Sequence, residues 1–203
     1  MQQGSPEWFA ARCGKVTASR ISDIIAKTKT GPSASRKNYM AQLVAERLTG
    51  IVEEGFTNAA MLHGTETEPL ARAEYEIITG EMVDQVGFID HPEIELSGAS
   101  PDGLVSSDGM IEIKCPNTAT HIEYFVSDVV PAKYKPQMTW QLACAKRQWV
   151  DFVSYDPRMP KRMQLFVKRF SPTYDEILSI ENEVKIFLIE VEDTIQTLMR
   201  KVA

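Results

Sequence analysis

The chain has 203 residues, 43% of them apolar and 25% charged, enough to bury a substantial interior in one α/β unit. It holds no run near the ~18 apolar residues of a membrane span and no apolar signal core at its start, so a cytoplasmic protein is expected. The formal net charge of −6 excludes a uniformly basic nucleic-acid binder but leaves room for a local basic face, because duplex affinity comes from phosphates neutralised where they touch.

Such a face is written into the charge order. Seven basic residues lie between Arg12 and Lys37 against Asp23 alone, and seven more between Lys146 and Arg169 against two acids. Residues 175–193 hold seven acids and only Lys185. The alternative is a set of ordinary solvated charge runs. Three scattered cysteines, Cys13, Cys115 and Cys144, imply neither a disulfide framework nor a metal cluster.

In chain order, Ser5-Pro6 starts a helix that runs to about 13 and stops at Gly14. Thr17-Ala18-Ser19 opens a second helix to about 26; its free N–H groups, the Thr17 and Ser19 hydroxyls and nearby Arg12 form either an anion site or an ordinary N-cap beside a surface arginine. Residues 27–35 read as a flexible basic loop able to touch DNA. A helix at 35–49 carries Tyr39, Met40, Leu43, Val44 and Leu48 as its apolar stripe, and Gly50 ends it. A further helix, 56–79, contains Thr65-x-x-Glu68, which has the form of a capping box.

Residues 82–89 read as a strand and 93–97 as a short extended piece. Met110 to Cys115 alternates Ile111, Ile113 and Cys115 with Glu112 and Lys114, a period of two that suits a half-buried strand. The turn Ser107-Asp108-Gly109 folds residues 102–106 back on it, and a three-residue loop sets Asp102 across from Lys114 and diagonal to Glu112; Leu104 would then share the polar face, which argues against so simple a register and leaves the convergence of all three at one end. Helices follow at 118–126 and 131–147, then strands at 149–155 and 163–170. The last segment, 173–202, spaces Ile177, Ile180, Val184, Phe187, Val191, Ile195, Leu198 and Val202 as an amphipathic helix that packs on its own sheet or serves a subunit contact.

Asp102, Glu112 and Lys114 carry the chemistry. Two close carboxylates repel unless a cation lies between them. Oxygen donors without clustered His or Cys select a hard metal, Mg²⁺ or Mn²⁺, with coordination places left for water and a phosphate oxygen. A lysine beside that ion steadies charge on phosphorus or assists an attacking water, which is the equipment of a phosphodiesterase. His63, His91 and His121 are too far apart to read as a zinc set, and no GxxxxGK[ST] loop is present, so ATP is not expected.

At these residues the sequence resembles the PD-(D/E)XK nuclease superfamily, with Pro101-Asp102 as the first half of the motif and Glu112-Ile113-Lys114 as the second. Within it the chain is similar to the lambda exonuclease and YqaJ-type viral recombinase family. Glu7-Trp8, Arg12-Cys13-Gly14, Thr17-Ala18-Ser19, His63-Gly64-Thr65-Glu66-Thr67-Glu68, Ala71-Arg72 and Tyr155-Asp156-Pro157-Arg158-Met159 extend the likeness over most of the chain.

The resemblance implies one nuclease domain, 1–203: a mixed central β-sheet flanked by helices, a helical N-terminal part (1–80) and the C-terminal helix. It implies two Mg²⁺ per site, replaceable by Mn²⁺, held by Asp102, Glu112, the Ile113 carbonyl and Glu68 as a further acid, in preference to Glu66. Arg12, Thr17 and Ser19 would take the 5′ phosphate, and either Gln137 or Gln141 would approach the site, although Thr139 stands where another glutamine is expected. The implied activity is degradation of one strand of duplex DNA from its 5′ end, in a homotrimeric ring, leaving a 3′ tail for an annealing protein. The alternatives are a repair or restriction endonuclease and a non-catalytic DNA-end-binding accessory protein.

Overall fold

The computed structural model describes residues 1–29, 31–52 and 59–202, the side chains of residues 60 and 61 apart. The first part comprises α1 (Pro6–Arg12), β1 (Val16–Thr17), a 3₁₀ turn (Ala18–Arg20), α2 (Ile21–Ile25), β2 (Lys27–Thr28), β3 (Gly31–Pro32), α3 (Ala34–Thr49) and α4 (Ala59–Thr79). Next come β4 (Val83–Asp84), β5 (Ile89–Asp90), β6 (Ser97–Ala99), β7 (Gly103–Val105) and β8 (Gly109–Lys114). α5 (Thr118–Ser127) and α6 (Lys135–Ala145) then lead to β9 (Trp149–Tyr155), β10 (Leu165–Phe170) and α7 (Tyr174–Val202).

Local chemistry fixes several ends. Ser5, Ser33 and Asn117 accept the N–H groups of Trp8, Arg36 and Thr120, satisfying donors that the first helical turn leaves open. Gly50 closes α3 in the left-handed conformation, φ 68°, that a side chain would resist.

Five strands form the mixed sheet β10-β9-β8-β7-β4. β8 pairs antiparallel with β7 and parallel with β9, and the parallel step requires the long crossover that α5 and α6 supply. One face buries Met110, Val150, Phe152 and Phe166 against Tyr124, Met138 and Leu142; the other buries Val105, Ile111, Ile113 and Val153 against Ala71 and Tyr75 of α4. β8 is therefore central and covered on both sides, not half-buried as its alternation predicts. A smaller sheet, β1-β6-β5, shares a second core with α2, α3, α6 and α7. Gly98 in β6 is required by close approach, since a Cβ there would lie 2.5 Å from the Ile89 carbonyl.

Several expectations are corrected. Residues 82–89 are not one strand: β4 pairs with β7, β5 pairs with β6, and the chain changes sheets between them. Residues 93–97 form a turn built on His91, whose Nδ1 accepts the N–H groups of Glu93 and Ile94, and the strand begins at Ser97. The expected start of the helix at Phe56 lies outside the described residues. α7 packs chiefly on α2, α3 and α6, in the core shared with the smaller sheet; Val184, Phe187 and Val191 are buried, whereas Leu198 and Val202 are exposed. Arg36 fastens α3 to α7 through both oxygens of Glu190. None of the helices among the described residues is long and apolar enough to cross a membrane.

The expected basic face is also largely spent within the fold. Lys15, Arg20, Lys27, Arg36, Arg158, Lys161, Lys168 and Arg169 each pair with an acid, several across long sequence separations.

Asp156 shows how such a pair supports the fold. Fully buried after β9, it accepts from the Arg158 guanidinium and from the Thr118 hydroxyl at the start of α5. Burial alone would raise its pKa, but the Arg158 and Thr118 hydrogen bonds hold it at about 2. A carboxylate depressed in the folded state adds stability above its unfolded pKa of about 4, and that contribution fades as pH falls toward the folded value. Asp156→Asn is expected to cost on the order of 1–2 kcal/mol at pH 7, allowing for the exposure of Arg158. In urea titrations the gap between variant and wild type should close as the pH is lowered from about 4 toward 2.

Candidate active site

The hairpin register decides which charges meet. Gly103, Leu104 and Val105 face Ile111, Met110 and Gly109, so the three-residue loop is 106–108, one residue earlier than the expected 107–109. Continuing that register by one residue sets Asp102 opposite Glu112, two places away from the expected pairing with Lys114. Leu104 thus shares a face with Asp102, and it packs with the apolar cluster around Met110. The same face is greasy toward the loop and charged toward the open end.

The ladder stops at Gly103, and a side chain continues it. Asp102 Oδ2 accepts the Ile113 N–H at 2.6 Å. Because the N–H and C=O of a strand residue point to the same side, the Ile113 carbonyl opens toward the same edge. Glu112, only 1% exposed, is clamped from three directions. Its Oε1 accepts from Lys114 Nζ at 2.5 Å and Gln137 Nε2 at 2.6 Å, and its Oε2 accepts from Gln141 Nε2 at 2.6 Å.

Both glutamines therefore reach the site, one helical turn apart on α6. Thr139 instead lines a separate hollow with Lys135 and Asp175. The Tyr134 ring, stacked on Phe152, lies 5.2 Å from Lys114 Nζ.

Glu68 approaches from α4. The capping-box reading fails, because Thr65 and Glu68 lie inside a helix that begins by Ala59, and Pro69 interrupts the backbone ladder just after Glu68. The Glu68 carboxylate accepts from Arg72 Nη2 at 2.7 Å, while Glu66 is exposed. Glu68, Arg72 and Asp102 line one cleft of about 420 Å³ with Met1, Gln3 and Gln85.

The electrostatics are strained in one direction. Burial, then the Glu112 charge, pushes Asp102 well above its ordinary pKa. Burial likewise raises Glu68 against the pull of Arg72. Burial alone would lower Lys114, yet Glu112 and Asp102 hold it above its usual value. Cys115 is pushed up to about 12 by burial, with Glu68 and Asp102 adding to the effect. Three carboxylates share the neighbourhood with two cationic side chains.

The donors fit a hard divalent ion. Asp102, Glu112 and the Ile113 carbonyl offer oxygen only, and Asp102 and Glu68 are raised first by burial and then by the neighbouring carboxylates, a repulsion that a cation would relieve. Gln141 Oε1 is buried with no hydrogen-bond partner among the described residues. No three His, Cys, Asp or Glu side chains among the described residues form a ready-made ligand cluster.

The predicted anion-binding residues separate. Arg12 stacks over Trp8 at 3.9 Å, and Trp8 Nε1 and Arg12 Nη1 both reach the Ser100 hydroxyl, two residues before Asp102. Arg12 has no carboxylate partner among the described residues. Thr17 does not present a free N–H: it is buried and donates to the Tyr39 hydroxyl at 3.0 Å. The following segment is a 3₁₀ turn with Ser19 exposed. Sequence reasoning gave no site role to Arg72, Tyr134, Ser100 or Gln3. Arg72 was accessible as an i, i+4 partner of Glu68; the others depend on contacts across 20 or more residues.

No curated protein sequence matches the chain significantly. Among solved structures it is similar to an alkaline exonuclease, LHK-Exo, from Laribacter hongkongensis, at 55% identity over 98% of both chains with a TM-score of 0.91. The same figures hold for LHK-Exo in complex with dAMP. A phage-related exonuclease from Haemophilus somnus 129PT, 16% identical over 91% of this chain and 96% of its own, shares the fold with a TM-score of 0.71. The architecture is a PD-(D/E)XK-like nuclease fold. Residues 7–148, more than half of the length, match the YqaJ-like viral recombinase domain, and the chain belongs to that family.

Proposed function

We propose that the protein is a Mg²⁺-dependent exonuclease that removes nucleotides from the 5′ end of one strand of linear duplex DNA. The product is a 3′ single-stranded tail for an annealing partner. The observation that carries this reading is the buried Glu112 held by Lys114, Gln137 and Gln141, with Asp102 beside it on the same hairpin. Membership of the recombinase family and the 55% identity to an alkaline exonuclease support it. So does that relative's complex with dAMP, a mononucleotide of the kind an exonuclease releases.

Asp102, Glu112 and the Ile113 carbonyl would hold one divalent ion, and Glu68 would help to hold a second. Bound there, such an ion supplies a Lewis acid and acidifies water. The protein's own groups do the rest. Gln137 and Gln141 fix the Glu112 rotamer, so its carboxylate is presented without rearrangement. Lys114, kept protonated by Glu112 and Asp102, places a cation where charge develops on the phosphoryl oxygens, and the Tyr134 ring packs beside it. Arg12, backed by Trp8 and lacking an acid partner, would take a terminal 5′ phosphate together with Ser100 and Ser19.

Lys114→Ala is expected to lower cleavage of linear duplex in Mg²⁺ by 10²-fold or more, while leaving duplex binding in Ca²⁺ within about threefold; near-normal turnover would refute the role. On duplex labelled at either end, the 5′ label should be released first as a mononucleotide, and a 5′ phosphate should speed release. Arg12→Ala should erase that phosphate preference more than it lowers the rate on 5′-hydroxyl ends. Light scattering at working concentration should give a trimer; a strict monomer would remove the ring.

A further inference from the structure

Resting on the reading of Asp102 and Glu68 as metal-holding acids, a question of spacing follows. Asp102 sits at the end of the β7–β8 hairpin and Glu68 on α4, two elements that no backbone ladder joins. What holds the two carboxylates apart at a fixed distance lies in the cleft wall.

Gln3 supplies the connection. Its Nε2 donates to the Val86 carbonyl at 3.1 Å and to the Pro101 carbonyl at 2.8 Å, so one amide nitrogen joins the chain after β4 to the residue preceding Asp102. The β4–β7 ladder pairs Asp84 with Leu104 and Val83 with Val105, then ends. Gln3 acts where the next pairs would have been. On the other side, Gln85, with its amide oxygen turned toward Arg72 as the donors there require, accepts from Arg72 Nη1 at 2.7 Å and Nη2 at 3.0 Å. Arg72 in turn holds Glu68 at 2.7 Å. Met1, adjacent to this strap, packs against Gly87, where a Cβ would lie 2.4 Å from its side chain.

We infer that Gln3 and Gln85 are positioning residues. They close a hydrogen-bonded arch, Glu68 to Arg72 to Gln85, along the chain to Val86, then Gln3 to Pro101 and Asp102, that sets the separation of the two acids and thereby the site's affinity for a divalent cation. Groups that orient metal-holding side chains without touching the metal carry about 10- to 100-fold in affinity or activity. Every link of the arch is a hydrogen bond or covalent chain, and breaking it at either glutamine should have the same consequence.

The test is Mn²⁺ binding to the full chain, followed by electron paramagnetic resonance and calorimetry, alongside the melting transition in EDTA. Gln3→Met keeps length and apolar packing but removes both donors; Gln85→Met breaks the arch at an exposed position where folding is not at stake. Each single variant should weaken Mn²⁺ binding about tenfold or more, and lower kcat with little change in KM for DNA. The double variant should lose little beyond the worse single one, because both cut the same connection. Wild-type affinity in both single variants, or fully additive losses, would overturn the arch. Absence of Mn²⁺ binding by wild-type protein, or binding undiminished by Glu112→Gln, would instead remove the site reading on which it rests.

Discussion

The crowding of acid at the open end of β8 is the constraint on which the molecule turns. Glu112 is buried in the centre of a sheet covered on both faces, where an isolated carboxylate would be prohibitively costly. It is tolerated because Lys114, Gln137 and Gln141 donate to it. Those donors come from two elements, so α6 must lie across the strand at a fixed height. The crossover that makes β8 and β9 parallel is what delivers α6 there. Fold and site are linked at this point: remove the crossover geometry and Glu112 loses two of its three partners.

Asp102 is held differently. It sits one residue beyond the ladder, and its carboxylate substitutes for a missing strand by accepting the Ile113 amide. That bond favours the charged form, yet burial and Glu112 outweigh it and the pKa stays high. Two acids kept close, one fully compensated and one not, leave a site that gains from a divalent cation. A fully satisfied cluster would have no such appetite. The unpartnered Gln141 Oε1 at the same place points the same way.

Much of this was legible from short-range pattern. The alternation at 110–115 located the strand, Pro101-Asp102 and Glu112-x-Lys114 located the charges, and the helix breakers Gly14, Gly50 and Gly80 located helix ends. What escaped were features set by partners distant in sequence. The register differed from the simplest hairpin because Leu104 and Met110 join one apolar cluster, and burying both decides the pairing. Alternation likewise cannot distinguish a half-buried strand from a central one when the polar residues are themselves buried and paired. Thr17 reads as a helix start with free amides until Tyr39, 22 residues on, caps its N–H. The capping box at Thr65 carries a sound local signal, overruled because α4 already extends through it.

The placement of positive charge bears on how DNA would be held. The sequence promised a basic face, but most of those cations are bound to acids such as Glu74, Asp151, Asp156, Glu183 and Glu190, where they brace helices and strands. A cation already paired with an acid contributes less to neutralising phosphate than a free one. Among the cations without an acid partner in the described residues, Arg12 is half-buried on Trp8 beside Ser100. Under the proposed function, Arg12 supplies charge recognition at the strand end. An enzyme that must advance one nucleotide at a time has more to lose from a grip distributed along the helix than from a single contact that is remade at every step.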